Sequence, residues 1–401
     1  MLPQVRERNM SHTIVDLFAG CGGLSKGFEL AGFNVVAAYE NWDSAIACYN
    51  LNFNHSAKQL DLNDVDAAVQ EIVPLKPTAI IGGPPCQDFS HAGKRIEAGR
   101  ASLTESYANI IQQIRPRCFV MENVARAQSS HAYAEAREIF KAAGYGLTEQ
   151  VLTASFCGVP QSRKRFFCIG ALDEQDGFLD SRLLSRLSDH EMTIRDYLGD
   201  ELGTEYYYRH PRNYNRRAIY SIDEPAPTMR GVNRPIPKGY PGHPKDACSV
   251  DGCVRPLSTY ERARIQTFPA DYKWIGSKTD QEQMIGNAVP VNLGKYVAEA
   301  LLDYLNDSIT NGQVVDIESF RSWLRQEKNL SSRSISDVIS RLKRVNQLLE
   351  LSDDTDIDLY SMRLGKIDAF ASQSSSIRSQ LKRAAKLYLE FVQQTRPPLE
   401  S

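Results

Sequence analysis

Thr13-Ile14-Val15-Asp16-Leu17-Phe18-Ala19-Gly20-Cys21-Gly22-Gly23-Leu24-Ser25 is the stretch on which the fold turns. A strand-like run, Thr13 to Phe18, breaks into a glycine-rich turn, and helical spacing follows over roughly Leu24 to Ala31. A second strand, Val35 to Tyr39, ends at Glu40. The unit is β-turn-α-β. Glycines in its first turn let the backbone turn tightly and approach a ligand closely. An acidic residue at the end of the second strand is where a ribose hydroxyl pair is commonly held, and Glu40 stands there. The turn lacks GxGxxG spacing and a Walker lysine. An adenosyl ligand without phosphates is therefore favoured over a pyrophosphate or triphosphate.

Working outward, the same pattern of apolar run and abrupt stop recurs. Ala79-Ile80-Ile81 runs into Gly82-Gly83-Pro84-Pro85-Cys86-Gln87-Asp88-Phe89-Ser90. A thiol on a stiff turn past a strand end is where an α/β enzyme places a nucleophile, although a buried structural cysteine fits the same residues. The stretch after it, with Lys94, Arg95 and Arg100, reads as a positively charged loop. Cys118 to Val124 is another apolar strand with Glu122 near its end. In a parallel sheet these strand ends share one edge, so Cys86, Glu122 and the glycine turn are expected to face one crevice. Asp61-Leu62 suits either an adenine amino group or a helix N-cap before Val65 to Val69. Gln161, Arg163 and Arg165 alternate along an extended run and are expected to line one face.

At 401 residues the chain is expected to form two or three domains. Its hydrophobic content of 42% and charged content of 24% describe a soluble globular protein. With a formal net charge of -2, nucleic-acid binding has to come from local basic patches. Eight cysteines without CxxC or His/Cys ligand spacing disfavour a zinc site and a disulfide framework, so no metal is expected. No membrane span or hydrophobic signal region is evident, and a reducing cytoplasm is the expected setting. From Ala171 to about Val254 periodicity weakens while tyrosine, proline and arginine accumulate. Arg230, Asn233, Arg234 and Lys238 there suit a nucleic-acid surface. Further on, Ile285 to Asn292 opens a long helix, Leu293 to Leu305. After a polar linker, Asn306 to Gln313, the rest reads as four amphipathic helices. Their spacing resembles the helical core-binding domain of tyrosine recombinases, which clamps DNA. A protein-interaction or stabilising role is open beside it.

Between Thr13 and Leu305 six motifs stand in one order: DLFAGCGGLSKGF, GGPPCQDFS, MENV, QSRKRFF, RPLSTYERARIQTFP and IGNAVPVNLG. In this order they resemble the DNA (cytosine-5) methyltransferase family of bacterial restriction-modification systems. The resemblance implies an α/β fold: a doubly wound, Rossmann-like catalytic domain at 11–170 and 255–306, and a small target-recognition domain at 171–254. A C-terminal helical domain of unassigned role, 314–396, lies outside it. S-adenosylmethionine is the implied cofactor. Phe18, Gly20, Gly22 and Gly23 would hold its methionine end, Glu40 its ribose, and Asp61 its adenine amino group with Leu62 packed nearby. Asn287, Ala288 and Val289 would complete the pocket. Where the family often has an apolar residue after its acidic residue, this chain has Asn41 and then Trp42, and either is open as the cover of the adenine ring.

The resemblance also implies the chemistry. Cytosine C5 is a poor nucleophile until a thiolate adds at C6, the role matched to Cys86. Glu122 would hold or protonate N3, Arg165 would contact the O2 side, and Arg163 would assist there or at a phosphate. The base has to be flipped out of the duplex, with the Gln87 to Arg100 loop closing over it. Gln87 and Ser90 are accordingly expected at the DNA. Double-stranded DNA is the implied partner, alongside a cognate restriction endonuclease. The protein is expected to be monomeric, cytoplasmic and nucleoid-associated. A tRNA cytosine-5 methyltransferase of the same architecture and a non-catalytic DNA-binding relative are the alternatives, and a nucleotide-dependent oxidoreductase is disfavoured by the absent GxGxxG.

Overall fold

Seven strands form the central sheet of the computed structural model, which describes residues 12–85, 103–211, 215–250, 254–310, 317–349, 351 and 357–395. They are β1 (Thr13–Leu17), β2 (Asn34–Glu40), β3 (Ala57–Gln59), β4 (Ala79–Gly82), β5 (Cys118–Val124), β6 (Tyr145–Thr153) and β7 (Lys164–Leu172). Their order is β3-β2-β1-β4-β5-β7-β6. The first five run parallel, and β7 runs antiparallel to both its neighbours. Strand β1 pairs with β2 on one side and β4 on the other, so the winding reverses there. In open α/β sheets that reversal opens a crevice beyond the strand ends.

Five helices accompany these strands: α1 (Gly23–Ala31), α2 (Asp43–Asn50), α3 (Val65–Ile72), α4 (Leu103–Ile114) and α5 (His131–Ala142). Alternation along each strand divides the core between the two faces. Ile14, Val35, Ile81 and Val120 pack with Leu24 and Phe28 of α1, whereas Leu17, Ile80, Phe119 and Met121 pack toward α3, α4 and α5. Each such buried side chain contributes about 1.5–3 kcal/mol. The cap of α3 is Asp64, whose side chain accepts from Ala67 N, so the N-cap reading of Asp61 is not the one realised.

Beyond β7 come two short helices, α6 (Asp180–Leu184) and α7 (Ile194–Leu198), and a three-stranded sheet of β8 (Tyr206–Tyr208), β9 (Ile219–Ser221) and β10 (Arg255–Pro256). Next are α8 (Thr259–Ile265), α9 (Lys278–Asn287) and α10 (Val291–Thr310). Helix α10 packs on α1. Helix α9 is absent from the sequence reading because its turns are mostly polar. Its signal was a capping box, Ser277 with Asp280.

The C-terminal segment holds α11 (Ile317–Gln326), α12 (Ser332–Leu348), α13 (Ile357–Leu364), α14 (Asp368–Ala371) and α15 (Ser375–Thr395) around its own apolar core. Among the described residues five helices thus stand where four were expected, the addition being the single turn of α14. An ion pair between Arg321 and Asp173 and a second between Lys343 and Glu174 (3.0 Å) fix it to the sheet, and Glu174 also accepts from Tyr304 Oη of α10 (2.9 Å). Asp173 and Glu174 follow the end of β7, and Ala171 there pairs with Cys118 at the start of β5. The helical domain therefore docks at the sheet edge opposite the crevice, about 20 Å away along the strands.

Candidate active site

A cleft of about 450 Å³ opens at the C-terminal ends of β1, β2, β4 and β5. Its first wall is the turn after β1, where Phe18 and Gly20 take left-handed φ values of 60° and 55°. Gly23 seals this turn against the α9–α10 connection, since a Cβ there would come within 2.3 Å of Val289 O. Asn287, Ala288 and Val289 line the same cleft as Phe18, Gly20 and Gly23. They form the link between two helices, a different setting from the single helix start the sequence suggested.

Glu40, at the end of β2, also lines the cleft. One carboxylate oxygen accepts from Gly20 N (2.8 Å), and the other accepts from Asn41 N (2.8 Å) and Trp42 N (3.0 Å). The backbone thus fixes the carboxylate before any ligand is considered. Trp42 lines the cleft, whereas Asn41 is exposed and lies outside its wall. Asp61 is exposed and accepts from Asn63, and Leu62 is buried. Neither belongs to the cleft wall, but Leu60 N bonds Glu40 O (3.3 Å), which puts Asp61 just beyond the neighbouring strand end.

One residue of this wall was missed by the sequence reading. Asp16, in β1, lines the cleft at 1% exposure. Burial pushes its carboxyl up to about 7, against a hydrogen bond from Ser25 and with Glu40 adding to the rise. Its signal was the rule that found Glu40 and Glu122: a carboxylate near the C-terminal end of a strand. Two carboxylates, an indole and a tightly wound backbone, with no lysine among the described residues of this wall, fit an adenosyl amino acid and suit a phosphate poorly. Among the described residues no group of three His, Cys, Asp or Glu side chains is placed to hold a metal.

The opposite wall carries the second charged group. Glu122 is 8% exposed and pairs with Arg165 Nε at 2.8 Å. The antiparallel course of β7 explains the meeting: Arg165, second in β7, stands opposite Val124, so Glu122 lies diagonally beside it on the same face. Burial pushes the Glu122 carboxyl up, and the guanidinium groups of Arg165 and Arg163 hold the rise back. Gly83 lets the β4 end approach closely, since a Cβ there would lie 3.0 Å from Glu122 Oε2. Asn123 Nδ2 donates to Pro84 O (3.0 Å), tying the Pro84-Pro85 turn to β5. Both prolines line the cleft. Cys86, Gln87 and Ser90, with the loop to Arg100, fall outside the described residues.

One expectation for the alternating run needs correction, that for Gln161, and Arg163 has structural bonds beside its place in the wall. Gln161 is fully buried, accepts from Met229 N (2.8 Å), bonds Gln266 (2.7 Å), and does not line the cleft. Arg163 is 1% exposed and donates to the carbonyls of Met229 and Gly286 (each 3.1 Å) and Asn287 (3.4 Å). A guanidinium committed to three carbonyls organises the wall. Arg163 still lines the cleft, and its Nε is buried without a hydrogen-bond partner. Burial also pushes it well below its usual range.

In the 171–254 segment the basic residues divide. Arg234 and Lys238 are exposed. Asn233 spends its amide hydrogens on Leu257 O (2.8 Å) and Glu282 (3.1 Å), so it anchors the loop and cannot donate to a base edge as placed. Arg230 donates to His210 O, and its own carbonyl accepts from Arg262, which makes it part of the same anchorage.

The family model for C-5 cytosine-specific DNA methylase matches residues 12–303. The Type II methyltransferase M.HindV of Haemophilus influenzae is 57% identical over 297 residues, covering 74% of this chain and 98% of that protein. M.HgiDI of Herpetosiphon aurantiacus is 55% identical over 293 residues, covering 73% and 94%. Among solved structures, the Dnmt2 methyltransferase of S. pombe matches with a TM-score of 0.56 over 74% of this chain and 99% of its own, a likeness of fold at 19% identity. The chain belongs to the C-5 cytosine-specific DNA methylase family.

Proposed function

We propose that this enzyme transfers a methyl group from S-adenosylmethionine to C5 of a cytosine flipped out of a specific double-stranded DNA sequence, through a covalent adduct between Cys86 and C6. The observation that carries the reading is the single cleft that holds the Glu122–Arg165 pair opposite Glu40, with Pro84 and Pro85 in its wall and Cys86 next in sequence. When bound, S-adenosylmethionine supplies a methyl group made electrophilic by its sulfonium. Phe18, Gly20, Gly22, Gly23 and the Asn287-Ala288-Val289 link enclose its methionine end. Glu40 takes the ribose, Trp42 covers the adenine, and Asp61 with Leu62 bounds its amino group.

Burial makes Glu122 take up a proton more readily than an ordinary glutamate, and it gives a hydrogen bond or proton to cytosine N3. Arg165, held in place by that carboxyl, reaches the O2 side. Together they make the ring electron-poor enough for the Cys86 thiolate to add at C6, which renders C5 nucleophilic. After C5 is methylated, its proton leaves to water and the Cys86–C6 bond breaks. Arg163 braces this wall through its bonds to backbone carbonyls and assists Arg165 at the site or at a nearby phosphate.

The segment 171–254 reads the target sequence, with Arg234 and Lys238 at the DNA, and the 314–396 helices lie apart from the cleft. The Type II relatives support a place in a restriction-modification system, in which a monomer in the cytoplasm acts on the nucleoid and protects host DNA from a cognate endonuclease. No helix among the described residues is long and apolar enough to cross a membrane.

Cys86→Ser tests the chemistry. Methylation, read by bisulfite sequencing of DNA from expressing cells, should vanish while S-adenosylmethionine binding persists. Normal turnover by that variant would sink the mechanism.

A further inference from the structure

The cations of the C-terminal helices divide into two sets. Arg321 and Lys343 pair with Asp173 and Glu174 beyond β7, Lys328 pairs with Glu390 (2.5 Å), and Arg341 lies 3.8 Å from Asp337. By contrast, Lys382, Arg383 and Lys386 of α15 are exposed and meet no carboxylate among the described residues. From Ala369 to Leu389 the chain holds four basic residues, Arg378 and these three, and no acidic one. Exposed arginines elsewhere are matched: Arg195 with Glu205 and Asp223, Arg255 with Glu261, Arg264 with Glu201. The line on α15 is left unneutralised.

Helical spacing sets these groups in a row. Leu381, Ala384, Ala385, Tyr388 and Leu389 bury one side of α15 in the domain core. The other side carries Ser375, Ser376, Ser379, Lys382, Arg383 and Lys386, all exposed and recurring at three- and four-residue intervals. From Ser376 to Lys386 the row runs about 15 Å. It starts at the helix N-terminus, where Ser374 Oγ accepts from Ile377 N (3.3 Å) and the backbone dipole is positive. Helix α13 packs on α15, which brings two further exposed cations, Arg363 and Lys366, to the same part of the domain.

Such a row works against its own helix. Lys382 and Lys386 stand at i,i+4, Arg383 and Lys386 at i,i+3, and like charges at these spacings repel. Bracing the sheet does not require them, because Arg321 of α11 and Lys343 of α12 do that. An anion arriving from outside relieves the repulsion. The row is too long for one small anion, whereas a DNA strand sets a phosphate every 3.4 Å of helix axis, so 15 Å faces about four. With no aromatic side chain in the row there is no platform for an unstacked base, which favours duplex over single strand.

We propose that α15 is a second DNA-binding surface, which holds the phosphate backbone of a duplex without regard to sequence through Lys382, Arg383 and Lys386. This rests on the DNA reading above. The domain docks at the sheet edge opposite the cleft, so the duplex segment it holds is not the one whose cytosine is modified. Contacts to phosphate carry no sequence information. The surface therefore keeps the enzyme on long DNA between targets and leaves methyl transfer to the cleft.

The test is fluorescence anisotropy of the full-length protein with an alternating A·T duplex of about 30 base pairs, which contains no cytosine, over a range of salt concentrations. In the triple variant Lys382→Ala, Arg383→Ala, Lys386→Ala, affinity should fall about tenfold or more. The slope of log K against log salt should shrink by about 2.7, the value for three phosphate contacts. The KM for plasmid DNA should rise several-fold, while kcat on a short duplex spanning only the target stays as in the wild type, which also shows that the variant is folded. Unchanged A·T-duplex affinity and salt slope in the variant would overturn the proposal. So would phosphatidylserine vesicles that bind the wild type as tightly as the duplex does and lose as much in the variant, since the face would then belong to a membrane. Failure of the wild type to bind any duplex would instead overturn the DNA reading beneath it.

Discussion

Glu122 shows how one side chain acquires a chemical role from its surroundings. A carboxyl in water is ionised at neutral pH, but burial at the end of β5 favours its protonated form. Arg165 at 2.8 Å opposes that rise without removing it. The group therefore holds a proton to higher pH than an ordinary glutamate, and a step that needs its proton slows as pH climbs through its raised pKa. Glu122→Gln keeps the shape but has no acidic proton. It should lower the single-turnover rate of methyl transfer by about 10²- to 10⁴-fold. DNA and cofactor affinities should stay within a few-fold. A rate within a few-fold of wild type would remove Glu122 from the chemistry.

At the scale of elements, the cleft depends on connections far apart in sequence. Arg163 bridges the β7 approach, the Met229 segment and the α9–α10 link through backbone carbonyls. One guanidinium presents several donors in a fixed fork, which a lysine ammonium cannot match. Arg163→Met should leave these buried carbonyls unpaired at a cost of about 1–3 kcal/mol each. The measurable results are a lower Tm and weaker S-adenosylmethionine binding, since Asn287 to Val289 lose their brace. Unchanged melting and binding would show that the carbonyls find other partners. Gln161 has a parallel part: it joins Met229 to Gln266, and Gln266 in turn donates to Ala288 O at 3.2 Å.

Across the whole molecule, the sheet separates two jobs by its two edges. The cleft lies at the carboxyl ends of the parallel strands, and the C-terminal helices dock at the other edge through Asp173 and Glu174. A clamp closing directly over the cleft is therefore not what this domain forms in the structure. The family match ends at residue 303, before α11 begins. Deleting residues 311–401 should leave DNA methylation within a few-fold, read by bisulfite sequencing. It should reduce thermal stability, because Asp173, 3% exposed, loses its cationic partner. Loss of methylation in a truncated protein that still binds cofactor would assign the domain a part in catalysis.

The sequence by itself determined the strand-and-turn order, the sheet edge on which the chemistry lies, and the identity of Glu40, Glu122 and Arg165 as residues of that edge. These features are local: glycine and proline stop strands, alternation marks their faces, and parallel strands share their carboxyl ends. Even so, sequence reasoning spread its emphasis evenly over Gln161, Arg163, Arg165, Arg230 and Asn233. What separates these residues is which backbone carbonyls they meet, and those carbonyls lie 66 and 123 residues away for Arg163. The same holds for Asp16, whose strand position was legible but whose bond from Ser25 exists only once α1 has packed beside β1. Tertiary structure also decided that β7 runs antiparallel, which alone brings Arg165 back to Glu122. Local pattern sets which side chains are available; long-range packing sets which of them are already satisfied, and chemistry is left to the remainder.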